Sequence, residues 1–409
     1  MKRSIKGSMV ILALLLTSML LLPVGAIGAQ DELSAINSAV QGSGASWTAG
    51  ETSISKLSPA DRKHRLGSLT PLLTEEEHQT ASEELTFLTG LTVPTSLDWR
   101  NNSGNVVTPI RDQGNCGSCW AFATTAAMES QVLIGSHAPG TDVNLSEQTL
   151  VSCGGSGNCG GGYVNYAADF VTNTGLPLET CYPYTAANGT CSKACSGWTN
   201  SDYRIAGWHY VATTSPTAAA LKAAVATYGP IVTTMNVYND FFYYTTGTYK
   251  YTSGAYAGGH AVVIVGYNDT GQYFIVKNSW GPSWGMKGFF NIGYDQIGSV
   301  VGFGQYSIAD EGYDPVNPPP PNCTYAITPT SKTFHSTGDT AKVTVTSQSN
   351  CSWTAVSNVG WISITSGATG TGNGTVKYSV AVNPNKSQRT GTVTIAGQTF
   401  TVTQRRSGY

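Results

Sequence analysis

The sequence has little charge and few long apolar runs. Only 11% of its 409 residues are Asp, Glu, Lys or Arg, with 22 basic against 24 acidic residues and a formal net charge of -2. Because this balance holds neither a basic stripe nor an acidic tail, we expect no nucleic-acid partner. The six histidines are scattered, and no metal site is indicated. At this length we expect two or three folded units, each able to bury a core.

The one long apolar run lies at the amino terminus. Lys2, Arg3 and Lys6 precede apolar residues from Met9 to Leu22, and small residues come after them. This order predicts a secretory signal peptide over residues 1–29. The alternative is an uncleaved membrane anchor, although the run is shorter than the ~20 residues that a spanning helix needs. The sequence therefore predicts an exported protein in which disulfides are permitted.

Residues 30–93 differ in composition from the rest of the chain. They hold dense charge, no cysteine and few large apolar residues, so we expect that they cannot fold alone. A pro-segment that covers the cleft of a secreted hydrolase would have this composition, and a solvated linker is the alternative. We find no long helical signature and no strong inhibitory motif in this stretch. The ordered domain is expected to begin at Pro94.

A run from Gln113 to Phe122 is the centre of the chain's chemistry. It combines a side-chain amide, a Gly/Asn turn and Cys119, and a predicted helix extends from Trp120 to Ile134. A cysteine in the first turn of a helix feels the positive end of the helix dipole, which stabilises the thiolate. A lone cysteine is nevertheless more often buried or disulfide-bonded. The count of nine cysteines is odd, so at least one thiol should stay free in an oxidising compartment.

Three consecutive glycines, Gly160–Gly162, come after the predicted helix. Glycines let another backbone approach closely, as an extended peptide substrate would require. Taken alone, the run is more often a flexible loop.

Two later segments supply a base and a residue to orient it. His260 stands at the entrance to a Val/Ile strand, and Asn278 ends the next strand, just before Trp280. Because a short loop joins these strands, we expect them to pair and to bring Asn278 beside His260. The Asn278 oxygen would then fix the imidazole tautomer and aim its other nitrogen at Cys119. Trp280 would shield that hydrogen bond from water.

These segments together resemble the papain-family cysteine peptidases. That family carries a Cys-Gly-Ser/Ala-Cys-Trp/Tyr signature, with His and Asn about 130–150 residues downstream. Cys116–Trp120 fits the signature, His260 fits the interval, and Asn278 lies slightly beyond it. The resemblance spans Pro94 to Asp314 and includes the Leu-Ser-Glu-Gln and Asn-Ser-Trp-Gly motifs.

The resemblance implies an α+β fold of two lobes, one helical and one a β-barrel-like sheet, with the cleft between them. It implies no cofactor, and protein or peptide substrates. Cys119 would be the nucleophile and His260 the general acid/base, held as a thiolate–imidazolium pair. Asn278 would orient His260, and Gln113 would donate to the oxyanion together with the backbone N–H of Cys119. The implied substrate-binding residues are Gly161, Gly162, Tyr163, Val164, Thr234 and Ala261.

The resemblance also implies a disulfide pattern. Cys116–Cys159 would brace the nucleophile loop, Cys153–Cys191 is the next pair, and Cys181 and Cys195 remain as a local pair. Six cysteines allow fifteen connectivities, so only the first of these pairs is a firm expectation.

A Pro-rich linker over residues 315–322 precedes a tail of different composition. Residues 323–409 are rich in Thr, Ser, Val and Gly with alternating apolar positions, which predicts an all-β sandwich. Through Cys351–Trp353, Trp361–Ile364 and the closing Thr399–Gln404, the tail resembles the BACON-type domains of secreted bacterial proteins. Cys323 and Cys351 would pair within it. Trp353 and Trp361 suggest carbohydrate or cell-surface contact, although in so small a sandwich at least one is expected in the core.

The first hypothesis is therefore a secreted bacterial cysteine endopeptidase, extracellular or periplasmic, made as a zymogen that its own pro-segment inhibits. A transpeptidase or ligase that uses the same acyl-enzyme is one alternative. A non-catalytic adhesin or binding protein on the same fold is the other, since fold does not guarantee activity.

Overall fold

The computed structural model describes residues 28–200, 203–314, 324–347 and 351–407. The predicted signal peptide up to residue 27, the linker 315–322 and Cys323 therefore lie outside the described residues. The helices are α1 Gly28–Ser43, α2 Pro59–Lys63, α3 Glu75–Thr89, α4 Cys119–Gly135, α5 Glu147–Cys153, α6 Val164–Asn173 and α7 Ala218–Tyr228. Within these ranges, no helix combines the length and the apolar character that crossing a membrane requires.

The strands fall into two groups along the chain. The first group is β1 Trp47–Ala49, β2 Ser96–Asp98, β3 Gly157–Asn158, β4 Gly161–Gly162, β5 Trp208–Ala212, β6 Ile231–Tyr238, β7 Tyr244–Tyr249, β8 Tyr256–Asn268, β9 Tyr273–Lys277, β10 Phe289–Gly293 and β11 Gln305–Asp310. The second group is β12 Ala326–Thr328, β13 Ser331–Phe334, β14 Asp339–Thr346, β15 Ser352–Ser357, β16 Ile362–Ser366, β17 Thr369–Thr371, β18 Gly374–Val380, β19 Arg389–Ile395 and β20 Gln398–Gln404.

Helix α4 is the centre of the helical lobe. It begins at Cys119, close to the predicted start, and it packs against α5, α6 and β8. The helix is buried on nearly all sides, Glu129 and Gln131 included. A helix that is buried all round lies in the interior of a domain, so the position of Cys119 is fixed by packing on every side.

Helix α5 begins at Glu147, and Ser146 is its N-cap. The Ser146 side chain accepts a hydrogen bond from the Thr149 backbone N–H. Leu145 and Leu150 are buried in the core of the helical lobe.

The second lobe is one large sheet. Its strands run in the order β1-β7-β10-β9-β8-β6-β11-β5, and β2 adds to β8. Strands β8 and β9 are antiparallel neighbours with Val263 opposite Lys277, which confirms the predicted pairing. The Val/Ile run of β8 is buried because helix α4 covers it on the side that faces the helical lobe.

Residues 28–93 are more helical than the sequence suggested. Helices α1 and α3 have 16 and 15 residues, and β1 adds antiparallel to the edge strand β7. Thr74 and Glu77 form a reciprocal capping box at the start of α3. The apolar residues in this stretch are few, and most of the buried ones belong to an apolar cluster that they share with the sheet lobe.

The tail consists of two stacked sheets, β12-β14-β18-β16 and β13-β20-β19-β15-β17. Their facing residues, such as Val376 and Phe400, share one apolar cluster, which gives the predicted all-β sandwich. Trp353 belongs to this core, and its Nε1 donates to the Gly372 carbonyl at 2.8 Å. Trp361 packs beneath Arg389, whose guanidinium carbon lies 4.2 Å from the centroid of the Trp361 ring.

Candidate active site

Cys119 is the first residue of α4, and its thiol is free and fully buried. The loop before it is held by the Cys116–Cys159 disulfide and by the Gly117 N–H, which donates to the Cys159 carbonyl at 2.8 Å. The disulfide and the packed helix together fix where the thiol can lie.

His260 and Asn278 are brought together by the β8–β9 pair. The Nε2 atom of His260 lies 2.8 Å from Oδ1 of Asn278. The same Oδ1 accepts the Ser279 backbone N–H at 2.8 Å, so it is the acceptor and His260 carries its proton on Nε2. The Nδ1 atom is buried and has no hydrogen-bond partner among the described residues. It is therefore the ring nitrogen that remains for proton exchange. The Trp280 ring lies over the imidazole, with centroids 4.7 Å apart.

The thiol lies against the start of β8. Backbone groups of Ala261, the residue after His260, and of Gly67, Trp120 and Ser68 hydrogen-bond to it and favour the thiolate. Burial outweighs them and raises the pKa of Cys119 to about 11. Burial also lowers the pKa of His260 to about 4, although the hydrogen bond to Asn278 opposes the change.

Burial by residues 66–69 therefore favours a neutral thiol and a neutral imidazole, because it excludes the water that would hydrate either charge. The thiolate–imidazolium pair that the resemblance implies stays a prediction for the enzyme without this cover.

Gln113 is buried beside the nucleophile loop. Its Nε2 donates to the Cys116 carbonyl at 2.7 Å, and its Oε1 accepts from the Ser279 hydroxyl at 2.7 Å. An amide nitrogen carries two hydrogens, so one remains for an oxyanion. Ser279 was missed as a positioning residue, although it lies inside the Asn-Ser-Trp-Gly motif.

The glycine run forms a short strand that pairs with residues 67–69. The Leu69 N–H donates to the Gly162 carbonyl at 3.0 Å, and the Gly162 N–H donates to the Gly67 carbonyl at 2.9 Å. On the other wall, Gly67 and Ser68 both donate to the Gly259 carbonyl at 3.1 Å. A Cβ at Gly67 would overlap the Gly117 carbonyl. The backbone of residues 67–69 therefore fits tightly between the two lobes, beside the thiol.

The resemblance also implies that four of the substrate-binding residues, Tyr163, Val164, Thr234 and Ala261, line a specificity pocket. Thr234 and Ala261 face each other in the β6–β8 ladder. Tyr163 and Val164 come directly after Gly162 on the helical lobe, where Val164 is buried and Tyr163 packs against Tyr166. Their assignment as a pocket stays a prediction.

The structure contains the disulfides Cys116–Cys159, Cys153–Cys191 and Cys181–Cys195, the same pairs that the resemblance implied. Cys351 is disulfide-bonded, while the predicted partner Cys323 lies outside the described residues. The three pairs fit an oxidising, extracellular compartment.

A buried charged cluster, not anticipated from the sequence, links the lobes next to Asn278. Lys277 donates to the Thr108 hydroxyl at 2.8 Å, and this hydroxyl donates to Glu129 of α4. Glu147 lies nearby, and burial raises its pKa well above the ordinary value, with the Glu129 charge adding to the effect. In the described ranges, no group of three or more His, Cys, Asp or Glu residues is arranged to hold a metal ion.

Comparison with known proteins finds two families along this chain. The family described as "Papain family cysteine protease" matches residues 93–316, and the "Viral BACON domain" family matches residues 324–407. "Cathepsin B-like CP3" of Giardia intestinalis is 39% identical over 214 residues, which are 49% of this chain and 69% of that protein. "Cathepsin B-like CP2" of the same organism is 33% identical over 279 residues, 65% of this chain and 88% of the relative.

Solved structures agree with these matches. The digestive procathepsin L2 proteinase of Tenebrio molitor superposes with a TM-score of 0.55 and 30% identity, covering 69% of this chain and 89% of that chain. The recombinant stem bromelain precursor gives a TM-score of 0.56 and 28% identity over the same shares.

Proposed function

Since this chain belongs to the papain family of cysteine proteases, we propose that it is a secreted endopeptidase whose pro-segment blocks it until removed. One observation carries the proposal. Cys119 begins α4 beside the His260–Asn278 pair, and residues 66–69 lie over it, hydrogen-bonded to both walls of the cleft. A buried thiol, an oriented imidazole and a removable cover are the parts that a thiol protease zymogen needs.

In the open enzyme, the Cys119 thiolate attacks the scissile carbonyl carbon. His260, protonated on Nδ1, gives that proton to the leaving amine, so the acyl group stays on sulfur. Asn278 keeps the ring in position through Nε2. The free amide hydrogen of Gln113 and the Cys119 N–H stabilise the oxyanion. A water deprotonated by His260 then releases the acid and restores the thiol.

The proposed organisation is a signal peptide over residues 1–29, a pro-segment over 30–93 and a peptidase domain over 94–314. A linker over 315–322 and a β-sandwich domain over 323–409 complete the chain. The family matches to residues 93–316 and 324–407 support the last boundaries. Export from a bacterial cell is supported by the basic and apolar amino terminus and by the three disulfides.

Contact with carbohydrate or a cell surface through the tail is the further part of the proposal. Both tryptophans are already engaged, Trp353 in the core and Trp361 under Arg389. The contact would therefore use exposed residues such as Val356 and Val382. Pull-down of the purified protein on insoluble polysaccharides tests it, and binding lost with Val382→Asp would support it.

The first experiment labels the matured, reduced protein with a peptidyl vinyl sulfone and maps the adduct by mass spectrometry. We expect one label per molecule on Cys119, none on Cys119→Ala, and little on the unprocessed precursor. Absence of label on folded, pro-segment-free protein would contradict the proposal. Adding an amine nucleophile during peptide cleavage distinguishes hydrolysis from transpeptidation, which would give an amide product.

A further inference from the structure

Three tyrosines form an aromatic surface at one end of the β6–β8 ladder. The Tyr238 ring is close to both of the others, with its centroid 4.3 Å from that of Tyr251 and 5.8 Å from that of Tyr256. Tyr256 is 55% exposed, and so is Val300, whose carbonyl accepts the Tyr238 hydroxyl at 3.3 Å. We call these four residues the tyrosine patch. Contiguous apolar side chains that remain in water mark interaction surfaces.

A buried carboxylate holds the turn that carries Tyr251. Asp240 is fully buried, and its Oδ2 accepts the backbone N–H groups of Thr252 at 2.8 Å and Ser253 at 3.1 Å. Its Oδ1 accepts the Tyr249 hydroxyl at 2.8 Å. The turn is therefore fixed before any partner arrives, and a preorganised surface loses less entropy when it binds.

The loop on the other side of the patch is fixed as well. The Val300 carbonyl accepts Nδ2 of Asn236 at 3.0 Å in addition to the Tyr238 hydroxyl. The Asn236 N–H donates to the Val301 carbonyl at 2.7 Å. Tyrosines that are held in this way offer a large contact area at a low cost in conformational entropy.

The tyrosine patch shares one face of the ladder with the predicted specificity pocket. Every second residue of β6 points to this face, together with its partner on β8. The three pairs in order along the ladder are Thr234–Ala261, Asn236–Gly259 and Tyr238–Tyr256. At about 3.3 Å per residue, the tyrosine pair lies about 7 Å beyond the middle pair.

The chain that covers Cys119 crosses this face at the middle pair. The Gly67 and Ser68 N–H groups both donate to the Gly259 carbonyl at 3.1 Å, and a Cβ at Gly259 would overlap the Ser68 carbonyl. A substrate that takes the place of these residues would therefore pass between the predicted pocket and the tyrosine patch. An extended chain spans about 7 Å in two residues, so a nearby substrate side chain can reach the rings.

We propose that the tyrosine patch binds an aromatic side chain of the substrate, outside the pocket assigned to Thr234 and Ala261, and so adds a second point of sequence preference. This inference rests on the proposed function. The patch presents uncharged rings, and aromatic pairs stabilise each other beyond the area that they bury. A charged substrate side chain would lose hydration there without gaining an ion pair, so it should be disfavoured.

The test compares longer peptides that the mature enzyme cleaves, in which one position at a time carries either Tyr or Ser. We expect one position outside the predicted pocket at which Tyr raises kcat/KM about threefold to tenfold. The gain should lie in KM with kcat unchanged, because the contact is the same in the ground state and in the transition state. A dipeptide substrate with a fluorescent leaving group is the reference, since it carries no residue for the patch.

Variants of the patch connect the preference to these residues. Tyr256→Ala should remove the preference for Tyr, whereas Tyr256→Phe keeps the ring and should keep the preference. Val300→Asp places a charge beside the rings and should lower the preference. Leu178→Ala, at a 44% exposed position of the helical lobe, is the control and should leave it unchanged. Equal cleavage of the dipeptide substrate by all four variants would show that the catalytic site is intact.

A preference for Tyr that survives Tyr256→Ala, or that Leu178→Ala lowers equally, would overturn the inference. The same holds if no position outside the pocket distinguishes Tyr from Ser. In each of these cases, cleavage of the dipeptide substrate and vinyl sulfone labelling of Cys119 would still support the proposed function. If the folded, pro-segment-free enzyme neither cleaves the dipeptide nor becomes labelled, the proposed function is wrong and the inference fails with it.

Discussion

The ionisation of Cys119 depends on the chain that covers it. Its backbone hydrogen bonds favour the thiolate, yet burial raises its pKa to about 11 and lowers the pKa of His260 to about 4. Two of those backbone partners, Gly67 and Ser68, belong to the pro-segment itself. Removing them admits water, which favours both charged forms at once.

The first prediction concerns the pH dependence of alkylation. A thiol with a pKa of about 11 is protonated at neutral pH, so iodoacetamide should alkylate the precursor slowly, with a rate that rises about tenfold per pH unit from about pH 7 to 9. In the mature enzyme the thiolate should form at lower pH, and the rate should be higher and nearly flat over this range. Mass mapping with Cys119→Ala as a blank makes the measurement. Parallel pH profiles for the precursor and the mature enzyme would show that residues 66–69 do not control the ionisation of Cys119.

The second prediction concerns the oxyanion donor. Gln113→Ala removes the side-chain N–H, so kcat/KM should fall roughly 10²- to 10³-fold while the Cys116–Cys159 disulfide keeps the loop in place. Ser279→Ala leaves the amide but removes the hydroxyl that orients it, so a smaller loss is expected. Steady-state kinetics on one peptide substrate measures both. If Ser279→Ala lowered kcat/KM as much as Gln113→Ala, Gln113 would have only a structural role and would not donate to the oxyanion.

At the scale of elements, Arg62 anchors residues 30–63 of the proposed pro-segment to the peptidase. Its guanidinium lies 3.0 Å from Glu32 of α1, donates to the Leu57 carbonyl at 3.1 Å and stacks on Tyr243. The Tyr243 hydroxyl also donates to Glu32 at 2.7 Å. One side chain therefore ties α1 and the loop before α2 to the peptidase.

The third prediction rests on that anchor. Arg62→Ala leaves Glu32 and the carbonyls of Leu57 and Ser55 without a charged donor, so pro-segment inhibition should weaken by about tenfold or more. Arg62→Lys keeps the charge without the planar fork and should be intermediate. Lys63→Ala, at the exposed neighbouring position, is the control. The rate at which purified precursor becomes labelled by vinyl sulfone is the measurement, and equal rates for the Arg62 and Lys63 variants would contradict the prediction.

The sequence predicted the helices and strands that carry a strong apolar pattern of their own. Helix α4 and strands β8 and β9 have apolar runs of the right period, and their type was predicted correctly. The alternating apolar positions of the tail predicted its strands in the same way. Helices α1 and α3 were not predicted, because their few apolar residues pack on the distant strands and helices of the peptidase. A residue such as Leu88 is buried only when α7 is folded beneath it, so its role cannot be predicted from the local sequence.

The residues of the candidate site also fall into a predicted and an unpredicted group. Motifs with a known order contain Cys119, His260, Asn278 and Gln113. Contacts between distant segments give Ser279, Gly259 and the Lys277 cluster their roles, and no motif predicts such contacts. Ionisation was the least predictable property, because it depends on burial by residues 66–69, and no local pattern reports burial.

At the scale of the whole molecule, the described residues form three apolar clusters. Two of these clusters draw on residues within the range 36 to 309, and both include residues of the sheet lobe. The third draws only on residues 327 to 402 of the sandwich. A cluster that is complete within its own segment can unfold without disturbing another, so the peptidase and the tail should be separate cooperative units.

The fourth prediction tests that independence. Val376 is fully buried in β18, and Val382, just beyond the strand, is 62% exposed. Val376→Asp should lower or abolish one of two calorimetric transitions, because it places a charge in the sandwich core. The remaining transition and kcat/KM should stay within about twofold of the unaltered protein, since distant sites act independently. Val382→Asp should change neither transition. If Val376→Asp instead lowered the peptidase transition and activity together, the tail would be part of the catalytic unit, and its stability would have to be counted with the enzyme's own.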